Sequence, residues 1–129
     1  VEISLMDPET REVVWKQTLK TPEISQWMPG DNWDRTKNAY QVAPEVYSVS
    51  ETLTLPSDLA AGKYAIAISV LDPAGMLPSL RFAIFNYWNG GRHPMGYVGV
   101  NQDIDEYKIP LSSFDDLQAD KSLRYVFEK

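Results

Sequence analysis

The chain reads as all-β: an antiparallel β-sandwich of seven or more strands with little helix. Three observations predict it. Short apolar runs alternate with period two. Proline, glycine and Asn/Asp clusters punctuate them at turn spacing. No stretch repeats the 3.6-residue period of an amphipathic helix. With 129 residues, 43% hydrophobic and 23% charged, the chain has the composition of one globular domain, residues 1–129.

Val1 to Met6 alternates weakly. Asp7-Pro8-Glu9-Thr10 turns the chain, and Glu12 to Leu19 returns as the second arm of a hairpin. Trp15, between Val14 and Lys16, is expected to be buried. Trp27 to Tyr40 holds a Pro-Gly step and several Asn and Asp without any period, so it is expected to be a long loop. Tyr47, Val49, Leu53 and Leu55 alternate with Ser and Thr, which predicts a half-buried strand; Glu51 interrupts the apolar row, as an edge position does. Pro56 to Lys63 is a turn or a single helical turn. From Tyr64 to Leu71, Tyr64, Ile66, Ile68 and Val70 form the apolar row, and Ala65, Ala67 and Ser69 an outer row of small side chains. Above that row there is room for a groove or for neighbouring loops.

Asp72-Pro73-Ala74-Gly75 turns again. Leu80 to Trp88 is expected to be a strand, with Leu80, Phe82, Ile84, Asn86 and Trp88 on one side and Arg81, Ala83, Phe85 and Tyr87 on the other. Asn89-Gly90 is a hairpin-turn signal, Pro94 keeps His93 extended, and Tyr97 to Val100 is a short strand. A single turn around Ser112-Ser113 and a last strand at Leu123 to Phe127 complete the chain.

Net charge is -6, which disfavours wholesale nucleic-acid binding and anionic membranes, since both rely on clustered Lys and Arg. No apolar run approaches the ~20 residues that cross a bilayer. Cysteine is absent, so packing alone holds the domain, and this is neutral about compartment. No leader is visible before Val1; the chain reads as a mature or excised piece of a longer protein.

The segment Phe-Asn-Tyr-Trp-Asn-Gly-Gly-Arg-His-Pro-Met-Gly-Tyr, residues 85–97, carries the strongest functional signal. Aromatic planes cover the C–H faces of sugar rings, while amides and guanidinium groups bond hydroxyls. Together with the Trp27–Tyr40 loop it supplies the candidate ligand-binding set: Trp27, Asp31, Asn32, Trp33, Arg35, Asn86, Tyr87, Trp88, Asn89, Arg92 and His93. The two loops are expected to meet at one end or edge of the sandwich. Trp33 is expected to be exposed among polar neighbours. Trp88 continues the row of Phe82 and Ile84 towards the core, but Asn86 interrupts that row. Asn89 is equally a turn residue.

Catalysis is weakly indicated: 18 acidic residues leave a carboxylate pair of glycosidase type open, but a small sandwich is a poor host for it. There is no Cys chemistry and no Gly-x-Ser-x-Gly elbow, and His93 is the lone histidine. No cofactor is expected. Asp103-Ile104-Asp105-Glu106 offers oxygen ligands of the kind calcium takes, but lacks the glycine and spacing of a calcium loop, so it reads as a solvated acidic turn. Zinc lacks ligands.

Residues 51–73 contain Leu-Pro-Ser-Asp-Leu-Ala-Ala-Gly-Lys-Tyr, then an alternating strand, then Asp-Pro. This resembles a pattern of immunoglobulin-like β-sandwich accessory domains that lie C-terminal to TIM-barrel glycoside-hydrolase-like domains in bacteria, a family of uncharacterised function. The resemblance spans about half of the chain. It implies that Pro56 and Gly62 shape a corner and that Tyr64 packs against it. It also implies an extracellular or periplasmic module attached to a parent catalytic domain. The functional expectation is a non-catalytic carbohydrate-binding module for a polysaccharide or oligosaccharide, with no nucleic-acid or membrane partner. Two alternatives stay open: a structural accessory domain that packs on its parent and binds nothing else, and a small glycan-processing enzyme.

Overall fold

A computed structural model describes residues 1–20, 23–28, 30–82, 84–88, 90–105 and 111–115. The chain forms two compact units, Val1–Leu19 with Leu53–Lys129, and Lys20–Thr52. It is all-β and antiparallel, with eight strands among the described residues: β1 (Glu2–Met6), β2 (Val13–Thr18), β3 (Asp31–Asp34), β4 (Ala39–Val42), β5 (Gly62–Ser69), β6 (Leu71–Asp72), β7 (Leu77–Pro78) and β8 (His93–Val100). Helix is limited, among the described residues, to the 3-10 turns Ile24–Gln26 and Leu111–Phe114. No described helix is long and apolar enough to cross a membrane.

The first unit is built on a four-stranded sheet of order β2-β1-β5-β8. The β1–β2 hairpin forms where the turn residues predict it. Asp7 Oδ1 accepts the Glu9 and Thr10 amides, both at 2.8 Å, and Arg11 takes a left-handed φ of 62°. These bonds hold the exposed Asp7 carboxyl below its ordinary pKa. At the corner before β5, the Leu59 amide donates to Pro56 O and the Tyr64 hydroxyl donates to Ala60 O at 2.9 Å.

Tyr64 and Leu5, the partner of Ile66, are buried on the face expected to be apolar, but the packed cluster lies on the opposite face. Ala65, Ala67 and Ser69 are fully buried, whereas Ile66, Ile68 and Val70 are half-buried. The small residues leave space that large ones fill: Trp88 and Phe114 join Met6, Ala65 and Ala67 in one cluster, with Val13 and Tyr97 against it. Alternation identifies two faces, but the deeper face is the one on which other parts of the chain deposit their bulk.

Among its described residues, Leu80 to Trp88 forms no strand. Isolated bridges join Asn86 to Asp115 and Trp88 to Arg92. The Phe82 amide and the Asn86 carbonyl are met by the His93 side chain instead of a ladder. The turn between Trp88 and Arg92 closes through their exchanged backbone bonds, 2.8 and 3.3 Å, with Gly90 and Gly91 at positive φ. A Cβ on Gly91 would meet Pro78 Cβ at 2.5 Å, so glycine is required there. The strand predicted at Tyr97–Val100 begins earlier, at His93. Asp72 closes the β6–β7 turn, as expected, accepting the Ala74 amide on Oδ1. The strand expected at Leu123–Phe127 lies outside the described residues.

In the second unit, the expected loop contains a hairpin. Asp31 stands opposite Val42, Trp33 opposite Tyr40 and Asp34 opposite Ala39. Asp34 Oδ1 accepts the Thr36 and Lys37 amides and Asn38 supplies a φ of 51°, which turns the chain. The strand expected from Tyr47 to Leu55 does not form: these residues carry no ladder, and Val46, Tyr47 and Val49 are exposed. Alternating side chains make a strand only where a second strand accepts its hydrogen bonds.

Candidate functional site

The Lys20–Thr52 unit has no fully buried residue among those described. Its rings pair with one another instead. Trp27 and Tyr47 stack face to face, centroids 4.9 Å apart and planes 4° from parallel. Trp33 and Tyr40, opposite each other on the β3–β4 ribbon, meet edge to face at 4.8 Å and 72°. All four keep more than a third of their surface in solvent, and Trp33 keeps 49%. Gly30 allows this crowding. It sits at φ 122°, where a Cβ would come within 2.7 Å of the Tyr40 ring.

Beside the rings lies an open cleft of about 180 Å³, lined among others by Met28, Asp31, Val42, Glu45 and Tyr47. The Met28 amide donates to the Tyr47 hydroxyl at 3.4 Å, which ties the cleft wall to the Trp27–Tyr47 stack. Asp31 Oδ1 accepts the Asn32 amide, leaving its second oxygen for other partners. Asp31, Asn32, Trp33 and Arg35 are all exposed, as their polar context predicts. The cleft itself offers the Tyr47 ring and the Asp31 and Glu45 carboxylates, and the same unit exposes the Asn32 amide and the Arg35 guanidinium, side chains that can bond hydroxyls.

The other half of the expected site belongs to the first unit, and there burial has claimed the side chains. Trp88 is 1% exposed, 6.0 Å from Phe114, with the Arg11 guanidinium 5.2 Å from its ring. It has no face to offer a ligand, and its inward row decides its role. His93 is 0% exposed. The Phe82 amide donates to its Nε2 at 3.2 Å, which puts the ring proton on Nδ1, facing Asn86 O at 2.9 Å. Burial pushes its pKa down; the Asn86 carbonyl, and the Leu80 carbonyl that would accept from Nε2 only in the protonated ring, pull it up, and the Arg81 charge adds to the lowering. His93 is therefore a neutral brace for the 80–88 segment, not a ligand contact. Asn86 is half-buried and donates from Nδ2 to Pro94 O. Tyr87 is half-buried, with Arg81 4.2 Å from its ring and His93 at its edge. Arg92 reaches Glu2 at 3.5 Å and Gly90 O at 3.3 Å. Asn89 lies outside the described residues.

Trp15 is half-buried. No group of three or more potential metal ligands gathers among the described residues; Glu106, part of the acidic turn, lies outside them. Tyr40 and Tyr47 are additions to the site. Tyr40 was legible as the ring seven residues after Trp33, bracketing an Asp34-to-Asn38 turn. Nothing local announces that Tyr47 stacks on Trp27.

The chain matches no protein-family model, no curated protein and no solved structure.

Proposed function

We propose that this protein is a non-catalytic carbohydrate-binding domain whose site is the aromatic ribbon and cleft of the Lys20–Thr52 unit. The observation that carries the reading is the pairing of four partly exposed rings, Trp27 with Tyr47 and Trp33 with Tyr40, in a unit without a buried core. Exposed apolar surface on this scale is a binding surface rather than a folding device. Its polar neighbours, Asp31, Asn32, Arg35 and Glu45, suit hydroxyls. The net charge of -6 favours a neutral polysaccharide. Of the two guanidinium groups in the expected binding set, Arg92 is committed to Glu2, which leaves Arg35. The Tyr64–Ala60 bond at the corner supports the immunoglobulin-like module reading, since such a tyrosine bond recurs in those sandwiches. With it goes the extracellular or periplasmic setting beside a parent glycosidase-type domain.

Covering about 50 Å² of an indole face contributes about 1.3 kcal/mol, about tenfold in affinity. Affinity electrophoresis in gels cast with neutral polysaccharides tests the reading. Retention should drop about tenfold in Trp33→Ala and Trp27→Ala, with circular dichroism unchanged and no reducing sugar released. Retention equal to that of the unmodified protein, or none on any polysaccharide, refutes it.

A second reading has its own support. Phe85 is 77% exposed and Ile84 and Leu80 nearly half, three apolar side chains of one segment left in solvent. They suit packing against a parent domain. On that reading the domain shifts no gel but co-migrates with the parent catalytic domain.

A further inference from the structure

One face of the four-stranded sheet changes character along its length. At one end Met6, Val13, Ala65 and Tyr97 stand in register and form or border the apolar core. At the other end Glu2 stands opposite Thr18 and Ser69, and the next rung aligns Ser4 with Lys16 and Ala67. This end is also buried: Ser4 and Ser69 are 0% exposed and Glu2 3%. Glu2 is held by Arg92 and Lys16, each at 3.5 Å. Because β5 lies between β1 and β8, the Arg92 guanidinium crosses β5 to reach Glu2, at the rung where Ser69 stands.

Four buried polar atoms here and in the adjoining core have no protein partner: Ser4 Oγ, Ser69 Oγ, Arg92 Nε and Trp88 Nε1. Trp88 shares a packed cluster with Ala67, the cross-strand partner of Ser4, and exchanges backbone bonds with Arg92. A buried polar group without a partner is costly, and a native chain rarely keeps several close together. We infer that the polar end of this sheet face, over Ser4, Ser69, Glu2 and Arg92, is an internal hydration site that binds ordered water as an integral part of the fold.

The donor set selects the occupant. The Arg92 and Trp88 N–H groups only donate, so the occupant must offer lone pairs. The Glu2 carboxylate only accepts, so the occupant must also bring hydrogens. The carboxylate repels an anion, and the inward N–H groups repel a cation. A neutral hydroxyl that donates and accepts is what remains, and water meets this with the usual three or so bonds of an internal site. A small polyol hydroxyl shares the chemistry.

The test uses the full chain, ¹⁵N-labelled, with the Trp88 indole and Arg92 Nε–H signals assigned through bonds. Water-selective Overhauser spectra should show cross-peaks from long-lived water to both protons. Ser69→Ala and Ser4→Ala should each lower the thermal midpoint by a few degrees, and the double variant by less than their sum, because the two hydroxyls share bound water. Absent cross-peaks, or alanine variants that melt higher because they remove unpaired hydroxyls, overturn the inference. If molar glycerol replaces the water cross-peaks with its own, the hydroxyl chemistry stands and water is overturned as the occupant.

Discussion

His93 should act as a pH-dependent brace, and its removal should loosen one segment before the rest. The imidazole accepts from the Phe82 amide and donates to Asn86 O, and its ring lies 4.4 Å from that of Phe82. His93→Ala leaves one backbone donor and one backbone acceptor unpaired where the side chain was fully buried. At about 1–3 kcal/mol for each orphaned group, the loss is about 2–6 kcal/mol, a large share of the ~5–15 kcal/mol that keeps a domain folded. His93→Gln keeps an acceptor for Phe82 and should cost less. The pH arm follows from the lowered pKa. The unfolded chain takes up the proton near the ordinary value of 6.5, before the folded ring does. The contribution of His93 is therefore complete above that pH and is lost as pH falls through the lower folded value, with a slope of at most about 1.4 kcal/mol per pH unit. Urea melts at pH 7, 6 and 5 measure this, in a window above the carboxylates. The unmodified protein should weaken towards pH 5, and His93→Gln should run flatter. Parallel pH profiles for the two would refute the brace.

Trp88→Ala should destabilise the first unit by about 3–5 kcal/mol through the cavity it leaves above Ala65 and Ala67; Trp88→Phe, which keeps much of the ring volume, should cost clearly less, both read by thermal melts. Gly91→Ala puts a Cβ 2.5 Å from Pro78 at φ 74°, and should cost about 1–3 kcal/mol, again by thermal melt. Asp34→Ala removes the acceptor of the Thr36 and Lys37 amides; hydrogen exchange at those two amides should speed up, while exchange in β1 and β5 stays unchanged.

The β1–β2 hairpin, β5 and the Asp72 turn were legible because their cause is local: Asp7 and Asp72 cap the turn that follows them, and alternating side chains select extended backbone. The β3–β4 ribbon escaped because neither of its faces is buried, so no apolar alternation marks Asp31–Asp34. The opposite error occurred at Tyr47–Leu55, where alternation is clean but no neighbour supplies a ladder. Of the site, Trp33 was legible as exposed because Asp31, Asn32, Asp34 and Arg35 surround it. Trp88 and His93 have equally polar neighbours and are buried.

Sequence alone determined that this chain would fold as short antiparallel strands, that turns would follow Asp7 and Asp72, and that aromatic and amide side chains would be plentiful. Only the tertiary structure decided which rings stay in water. Turn chemistry and periodicity act over a few residues, whereas burial is settled by what arrives from far along the chain. Phe114 and the small faces of Ala65 and Ala67 take Trp88 inside, and the β3–β4 ribbon has nothing buried beneath it to take Trp33.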